Sequence, residues 1–267
     1  MKLYIKNYSS YTSDEENIEI KKVLKQKYKL DTRRQDSFIH LAVYGGQLLK
    51  EKTDISVDDE LYLTSGVGNI DIIQKTNTYI YEENQPLKLF DFINLLGNTT
   101  SYYVASSLGV KGKNIFQISD NFTYINSLIS IFASISNSGK NAILCSIDLV
   151  GTCDEVIKRV LGMDEGDEVL SSVNYQKFSL SNDDAIAELE FDTKTYSLNE
   201  VKTFLENNEK QVVFSPRFKE SKVSNKLGFF ETIPSYSINE SMKNNRDLTY
   251  IDCFEDRYKI LKLKSLK

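Results

Sequence analysis

The polar and apolar positions of this chain alternate between strand-like and helix-like spacing along most of its length. Residues 1–6 alternate as a strand. Residues 17–30 set Ile18, Val23 and Leu24 at helical spacing, with Lys21, Lys22 and Lys25 elsewhere. Residues 33–49 repeat that pattern with Phe38, Leu41, Ala42 and Leu49 as the apolar stripe. Residues 60–65 predict a short strand ending in Gly66-Val67-Gly68, and residues 70–81 and 87–108 predict helices. A strand over residues 115–119 feeds directly into a helix over 122–138, and 141–149 is an apolar run of the buried-strand kind.

Beyond Gly151 the pattern weakens. Residues 153–174 are charged and mixed, predicting a loop with a short helix. Residues 185–191 alternate as a strand. Ser197-Leu-Asn-Glu200 is a capping box that opens a helix continuing over 201–207. A strand over 211–214 and a short helix over 234–242 follow. Residues 248–254 and 258–263 form a closing pair of strands, with Lys259, Lys262 and Lys264 suited to an exposed edge. The alternation predicts an α/β architecture. No sequence repeat is visible, yet the β/α pattern runs twice, once on each side of Gly151.

Length and composition narrow the function classes. The 267 residues suffice for one large domain or two fused halves, and a chain of this size buries roughly 75% of its unfolded surface. A net charge of −5 argues against nucleic acid as a partner. No apolar run reaches the ~18 residues of a membrane span, and the first residues carry no signal-peptide core. Cys145, Cys153 and Cys253 are odd in number and widely spaced, which suits reduced thiols in a cytoplasm. With no CxxC pair and His40 as the sole histidine, no structural zinc site is expected. Gly66-Val67-Gly68 is a tight turn rather than a dinucleotide loop, because Asp71 stands where that fingerprint needs its third glycine. No cofactor is expected.

The junction between strand and helix near residue 121 carries the candidate chemistry. A side chain there sits at a helix N-terminus, whose dipole stabilises an anion, so it is a natural seat for a nucleophile. The seat holds Asn121, which neither ionises nor takes an acyl group. Asparagine also suits capping of the helix that follows, so a capping role and a role facing a partner's site are both open. The basic run Lys21, Lys22, Lys25, Lys27 and Lys29 reads as a solvated face, with docking of an acidic carrier protein as the sharper reading. Tyr102 and Tyr103 read as packing residues, with a tunnel lining as their sharper reading. Cys145 reads as a buried inert thiol.

Several blocks, in order, resemble the β-ketoacyl synthases of the thiolase superfamily. Thr32-Arg-Arg-Gln-Asp-Ser-Phe38 is similar to that family's Arg-Arg-Met-Asp-Arg-Phe helix start. Leu63-Thr-Ser-Gly-Val-Gly-Asn69 is similar to its strand and Gly-x-Gly turn. Asn98, Val104-Ala105 and Leu108-Gly109 match the spacing of its next helix, and Gly112-Lys113-Asn114 stands where the family has Gly-Pro-Asn. Ala142-Ile-Leu-Cys-Ser-Ile-Asp148 resembles its Ala-Leu-Val-Gly-Gly-Val-Asp strand. Together these blocks cover residues 30 to 150. The resemblance implies a thiolase-like fold, layered αβαβα, with a shortened C-terminal half. It implies a single compact domain over 1–267, whose halves meet near residue 150.

The departures from the family are as informative. Counted from Gly112, the family's cysteine falls on Asn121. The Gly-His pair aligns with Gly228-Phe229, putting Phe229 in a histidine's place, and the segment of the first catalytic histidine is absent. Decarboxylative condensation needs a thiolate to hold the acyl chain and donors to stabilise the enolate. Some relatives carry glutamine at the cysteine position. One such class decarboxylates malonyl groups but relies on histidines. The other is the chain length factor, a silent subunit that pairs with an active ketosynthase and helps set product length. The second comparison fits this histidine-poor chain, and the small subunits of aryl polyene pathways in Gram-negative bacteria are the similar kind.

The resemblance then implies a catalytically inactive subunit in a heterodimer with a catalytic ketosynthase, reached by acyl carrier protein through the complex. It assigns the pairing edge to Asn114, Ile115, Phe116, Gln117, Ile118 and Ser119, and the tunnel end to Asn69, Ile70 and Ile73. The rival readings are a small acyltransferase or hydrolase using another nucleophile, Cys153 or a serine, and a homodimeric scaffold that binds acyl carriers.

Overall fold

A computed structural model of the chain describes residues 1–14, 18–119, 121–150, 155, 158–159, 168–206, 212–215, 227–228 and 232–266. Its topology turns on a strand that periodicity alone does not show. Ser172–Ser179 lies in the middle of the sheet, buried along its whole length. Its alternate residues Asn174 and Gln176 are polar and Val173 and Tyr175 apolar, and both sets are covered. Polar side chains on an interior strand conceal it in a hydropathy pattern, because burial there is satisfied by hydrogen bonds instead of apolar contact.

In chain order the strands are β1 (Lys2–Thr12), β2 (Glu60–Ser65), β3 (Asn114–Ile118), β4 (Ala142–Asp148), β5 (Glu168–Val169), β6 (Ser172–Ser179), β7 (Ala187–Glu190), β8 (Val212–Phe214), β9 (Leu227–Gly228), β10 (Leu248–Phe254) and β11 (Arg257–Ser265). Nine of them form one sheet in the order β3-β2-β4-β6-β1-β7-β11-β10-β8, while β5 and β9 pair separately. β2 runs parallel to β3 and β4, and β6 runs antiparallel to its neighbours β4 and β1. The second set copies this plan: β8 is parallel to β10, and β11 is antiparallel to its neighbours β10 and β7. β1 and β7 join the two sets antiparallel. The first set thus extends through β6 to Ser179, past the Gly151 break in the sequence pattern.

The helices are α1 (Ile20–Gln26), α2 (Ser37–Lys50), α3 (Ile70–Asn77), α4 (Leu89–Leu95), α5 (Gly97–Leu108), α6 (Thr123–Ser138), α7 (Leu198–Glu206) and α8 (Ile233–Lys243). They build a layered αβαβα molecule. The central layer is α6 and α8, whose Tyr124, Ile125, Leu128, Ile131, Ile238 and Met242 share one core with the inner faces of both strand sets. α2 and α5 cover the opposite face of the first set through Phe38, Leu41, Val104 and Leu108. Val201 of α7 covers Ile251, Cys253 and Tyr258 of the second.

Three expected elements differ from the pattern. The helix over 87–108 is two helices, because Leu96 takes an extended backbone between α4 and α5. The helix over 70–81 stops at Asn77 and continues as a π-helical turn over Thr78–Glu82. β11 is no edge: it lies between β10 and β7, and Lys259 is buried, its ammonium donating to Thr193 O at 2.7 Å. That burial lowers the Lys259 pKa. The capping box at Ser197 is present, with Ser197 N donating to Glu200 Oε2 at 2.8 Å.

Candidate functional site

β3 leaves the sheet at Ile118 and reaches α6 through a short junction. Ser119 N donates to Ser65 O at 3.2 Å, which keeps the junction stitched to the end of β2. The Ser119 hydroxyl donates to Asn121 O at 2.8 Å, the Thr123 hydroxyl donates back to Ser119 O, and Asn126 Nδ2 donates to Asn121 O at 3.3 Å. The N-cap of α6 is Phe122, in the left-handed region at φ 47°, and its side chain makes no capping hydrogen bond. The N-cap position expected of Asn121 is thus Phe122's: Asn121 stands one residue ahead, half-buried beside the helix N-terminus. A buried non-glycine residue held left-handed costs about 1–3 kcal/mol, a strain that clusters at functional junctions. The side chain at this junction is an amide, which offers neither a nucleophile nor a titratable proton.

Across the central layer, Asp148 at the end of β4 ties both halves together. Its Oδ1 accepts from Ser65 Oγ at 3.0 Å and from Gly66 N at 2.9 Å, and its Oδ2 accepts from Thr232 N at 2.9 Å, at the start of α8. Burial pushes its carboxyl up to about 6, and those three donors hold it back from rising further. Below, the interior is closed by neutral hydrogen bonds. Gln176 Nε2 donates to Asn239 Oδ1 at 2.7 Å, Asn239 Nδ2 donates to Ser10 Oγ at 2.8 Å, and the Tyr124 hydroxyl donates to Gln176 Oε1. Burial raises the Tyr124 hydroxyl far beyond reach of neutral pH.

The other candidate chemistry lies elsewhere. His40 sits on α2, on the opposite face of the sheet from α6. Its Nε2 lies 3.3 Å from Thr32 O, and burial lowers its pKa. Cys145 is buried with its thiol pushed far up by burial, and Cys253 is buried as well. Cys153 and Phe229 fall outside the described residues. The lysines of the 21–29 run are exposed, with Lys27 on Glu51 at 2.6 Å.

The three tunnel candidates part company. Asn69 is buried and turned toward α2, its Nδ2 donating to Asp36 Oδ2 at 2.7 Å. Ile70 is half-buried and Ile73 is 42% exposed on the same outward face of α3, while Ile72 points inward. Gly68 holds the preceding turn at φ 67°, and a Cβ there would meet Ile118 Cδ1 at 2.7 Å. The start of α3 and the end of β3 therefore form one surface.

β3 pairs only with β2 among the described strands, so its other side is an open edge. Leu61 N donates to Lys113 O and Ser119 N to Ser65 O. By the alternation of a parallel ladder, the backbone groups of Asn114, Phe116 and Ile118 then face away from β2. Nine of the twelve exposed large apolar side chains among the described residues fall between Ile73 and Ile118. Leu89, Phe92 and Leu96 rise from α4, and Tyr102 is 63% exposed on α5. Sequence reading missed this α4 face. Its signal is Leu89, Phe92 and Leu96 at helical spacing, a second apolar stripe beside Phe90 and Ile93.

No family model matches the sequence, and no curated protein matches it. Solved structures do. The ishigamide ketosynthase/chain length factor aligns over 100% of both chains with a TM-score of 0.72 at 9% identity. A β-ketoacyl synthase from Burkholderia phymatum STM815 aligns over 100% of both chains with a TM-score of 0.66 at 11% identity. The ketosynthase ApeO in complex with its chain length factor ApeC, from Xenorhabdus doucetiae, aligns over 98% of this chain and 99% of the other, with a TM-score of 0.62 at 10% identity. The fold is the thiolase-like fold of these ketosynthase and chain-length-factor proteins.

Proposed function

We propose that the chain is a non-catalytic subunit of the chain-length-factor type that pairs, through the open edge of β3, with a catalytic ketosynthase. The observation that carries this reading is the coincidence of two unsatisfied surfaces. An unpaired strand edge invites another strand, and the helices that carry most of the exposed apolar side chains, α3, α4 and α5, pack in series beside that edge, α5 against β3, α4 against α5 and α3 against α4. An apolar patch of this kind marks an interface, and a long-lived partner covers it. The amide of Asn121 in the nucleophile's seat supports a silent role.

In this assembly Ile70 and Ile73 face the partner and limit the room for its growing acyl chain. The acyl carrier protein reaches the complex through the catalytic subunit, in the cytoplasm, and the product is of the aryl polyene kind. The test is co-expression with a candidate catalytic ketosynthase from the same genome. A one-to-one complex that makes product, and loses it when either subunit is omitted, is expected. An acyl adduct on the purified chain alone would favour an acyltransferase or hydrolase instead.

A further inference from the structure

A cleft of about 500 Å³ opens between α1, the start of α2 and the end of β1. Its apolar side chains are Tyr11 and Leu41, both buried, and Ile18, Ile20 and Leu149, all half-buried. That volume lies within the roughly 300–1,000 Å³ of small-molecule sites.

The polar groups of the walls are engaged, with one exception. Ser171 Oγ accepts from Val150 N at 3.0 Å, and Ser13 Oγ accepts from Ser171 N at 3.2 Å. Gln35 Nε2 donates to Asp31 O at 2.8 Å. Asp36 accepts at Oδ1 from Ile39 N at 3.0 Å and at Oδ2 from Asn69 Nδ2 at 2.7 Å. Glu19, Lys21 and Ser37 are exposed to water. The exception is His40, which lines the cleft from α2. Its Nε2 lies 3.3 Å from Thr32 O. A carbonyl oxygen only accepts, so Nε2 carries the proton and Nδ1 keeps the lone pair. Burial lowers the pKa of the ring, which favours this neutral form. Nδ1 has no hydrogen-bond partner among the described residues. Unlike Thr32 Oγ1, it is not shut off from solvent.

We propose that this cleft binds a neutral phenol, whose hydroxyl donates to His40 Nδ1 and whose ring lies among Tyr11, Ile20, Leu41 and Leu149. An open acceptor calls for an O–H or N–H donor, which excludes carboxylates and phosphates as the anchoring group. A charged guest would also lose its hydration against apolar walls that hold no unpaired ion. A phenol is a stronger donor than an aliphatic alcohol, and its flat ring can meet the Tyr11 ring edge to face. The inference stands apart from the partner reading, because it concerns a property of this chain by itself.

His40 is the sole histidine, so the full chain isotope-labelled at its histidine ring nitrogens reports on this ring alone. Titration with para-ethylphenol should shift the Nδ1 resonance saturably, and more than the Nε2 resonance, with a dissociation constant below about 1 mM. The isomer para-methylanisole has the same heavy atoms and no donor. It should bind at least about threefold more weakly and leave Nδ1 in place. Leu149→Trp and Ile20→Trp change half-buried positions and fill the cleft while keeping His40. Each should abolish the phenol response, and the free Nδ1 signal shows whether each variant is folded. No saturable shift at millimolar para-ethylphenol, an equal response to para-methylanisole, or a response that survives in a folded Trp variant would overturn the proposal.

Discussion

Asp148 and Asn121 sit at the starts of the two central helices and lend themselves to opposite tests. The Asp148 carboxyl is raised from 3.8 to about 6 by burial, so the folded chain binds its proton more tightly than the unfolded chain does. Its contribution to stability is then fully present below about 3.8 and is lost as pH rises through about 6. The difference is on the order of 3 kcal/mol. Asp148→Asn should remove that slope, so urea midpoints at pH 5 and pH 7 should lie closer together in the variant than in the parent. An unchanged difference would show that Asp148 does not titrate with folding. Asn121→Cys places a thiol in the seat, but without the family's two catalytic histidines it should not condense malonyl and acyl thioesters. Turnover by that single variant would contradict the silent reading. At this scale the sequence exposes only what is local. The Ser197–Glu200 capping box spans three residues and is legible, whereas the partners of Asp148 include Gly66 and Thr232, 82 and 84 positions away.

Among the elements, β3 and α3 carry the predictions. The Ile118 N–H faces the open edge, not β2, so Ile118→Pro removes a donor without breaking the existing ladder. The isolated chain should stay folded, while affinity for the catalytic partner falls at least about tenfold. Equal affinity in a binding titration would mean that the edge is not the joint. Gly97 opens α5 against the Phe116 ring, and an added Cβ would lie 2.4 Å from it. Gly97→Ala should therefore destabilise the chain by roughly 1–3 kcal/mol and displace β3, which a shifted urea midpoint would register.

Ile70→Ala and Ile73→Ala should lengthen the product of a well-assembled complex by one or more extension units, and Ile73→Phe should shorten it. An unchanged product distribution would assign α3 a structural role alone. Periodicity located β2 and β4 nearly to the residue, because apolar strands between covered faces declare themselves. It passed over β6, whose Asn174 and Gln176 are buried by hydrogen bonding, and it placed β11 at an edge on lysines that include the buried Lys259. Side-chain type does not reveal which strands neighbour one another.

At the scale of the whole molecule, two sets of strands follow one plan: an antiparallel strand between parallel neighbours, β6 in the first and β11 in the second. The doubled β/α rhythm of the sequence announces this plan, and the blocks over residues 30 to 150 point to the ketosynthase fold that the solved structures share. The apolar α4 face leaves a trace in the spacing of Leu89, Phe92 and Leu96, but whether that stripe stays exposed is decided only when α3 and α5 pack around α4. The central claim is that this chain completes a ketosynthase without carrying its acyl group. Native mass spectrometry of the co-expressed pair, after incubation with an acyl thioester, tests it most directly. The expected spectrum shows a one-to-one complex with a single acyl mass, which stays with the catalytic partner when the subunits are separated. An acyl group on this chain, or two subunits that never associate, would contradict it.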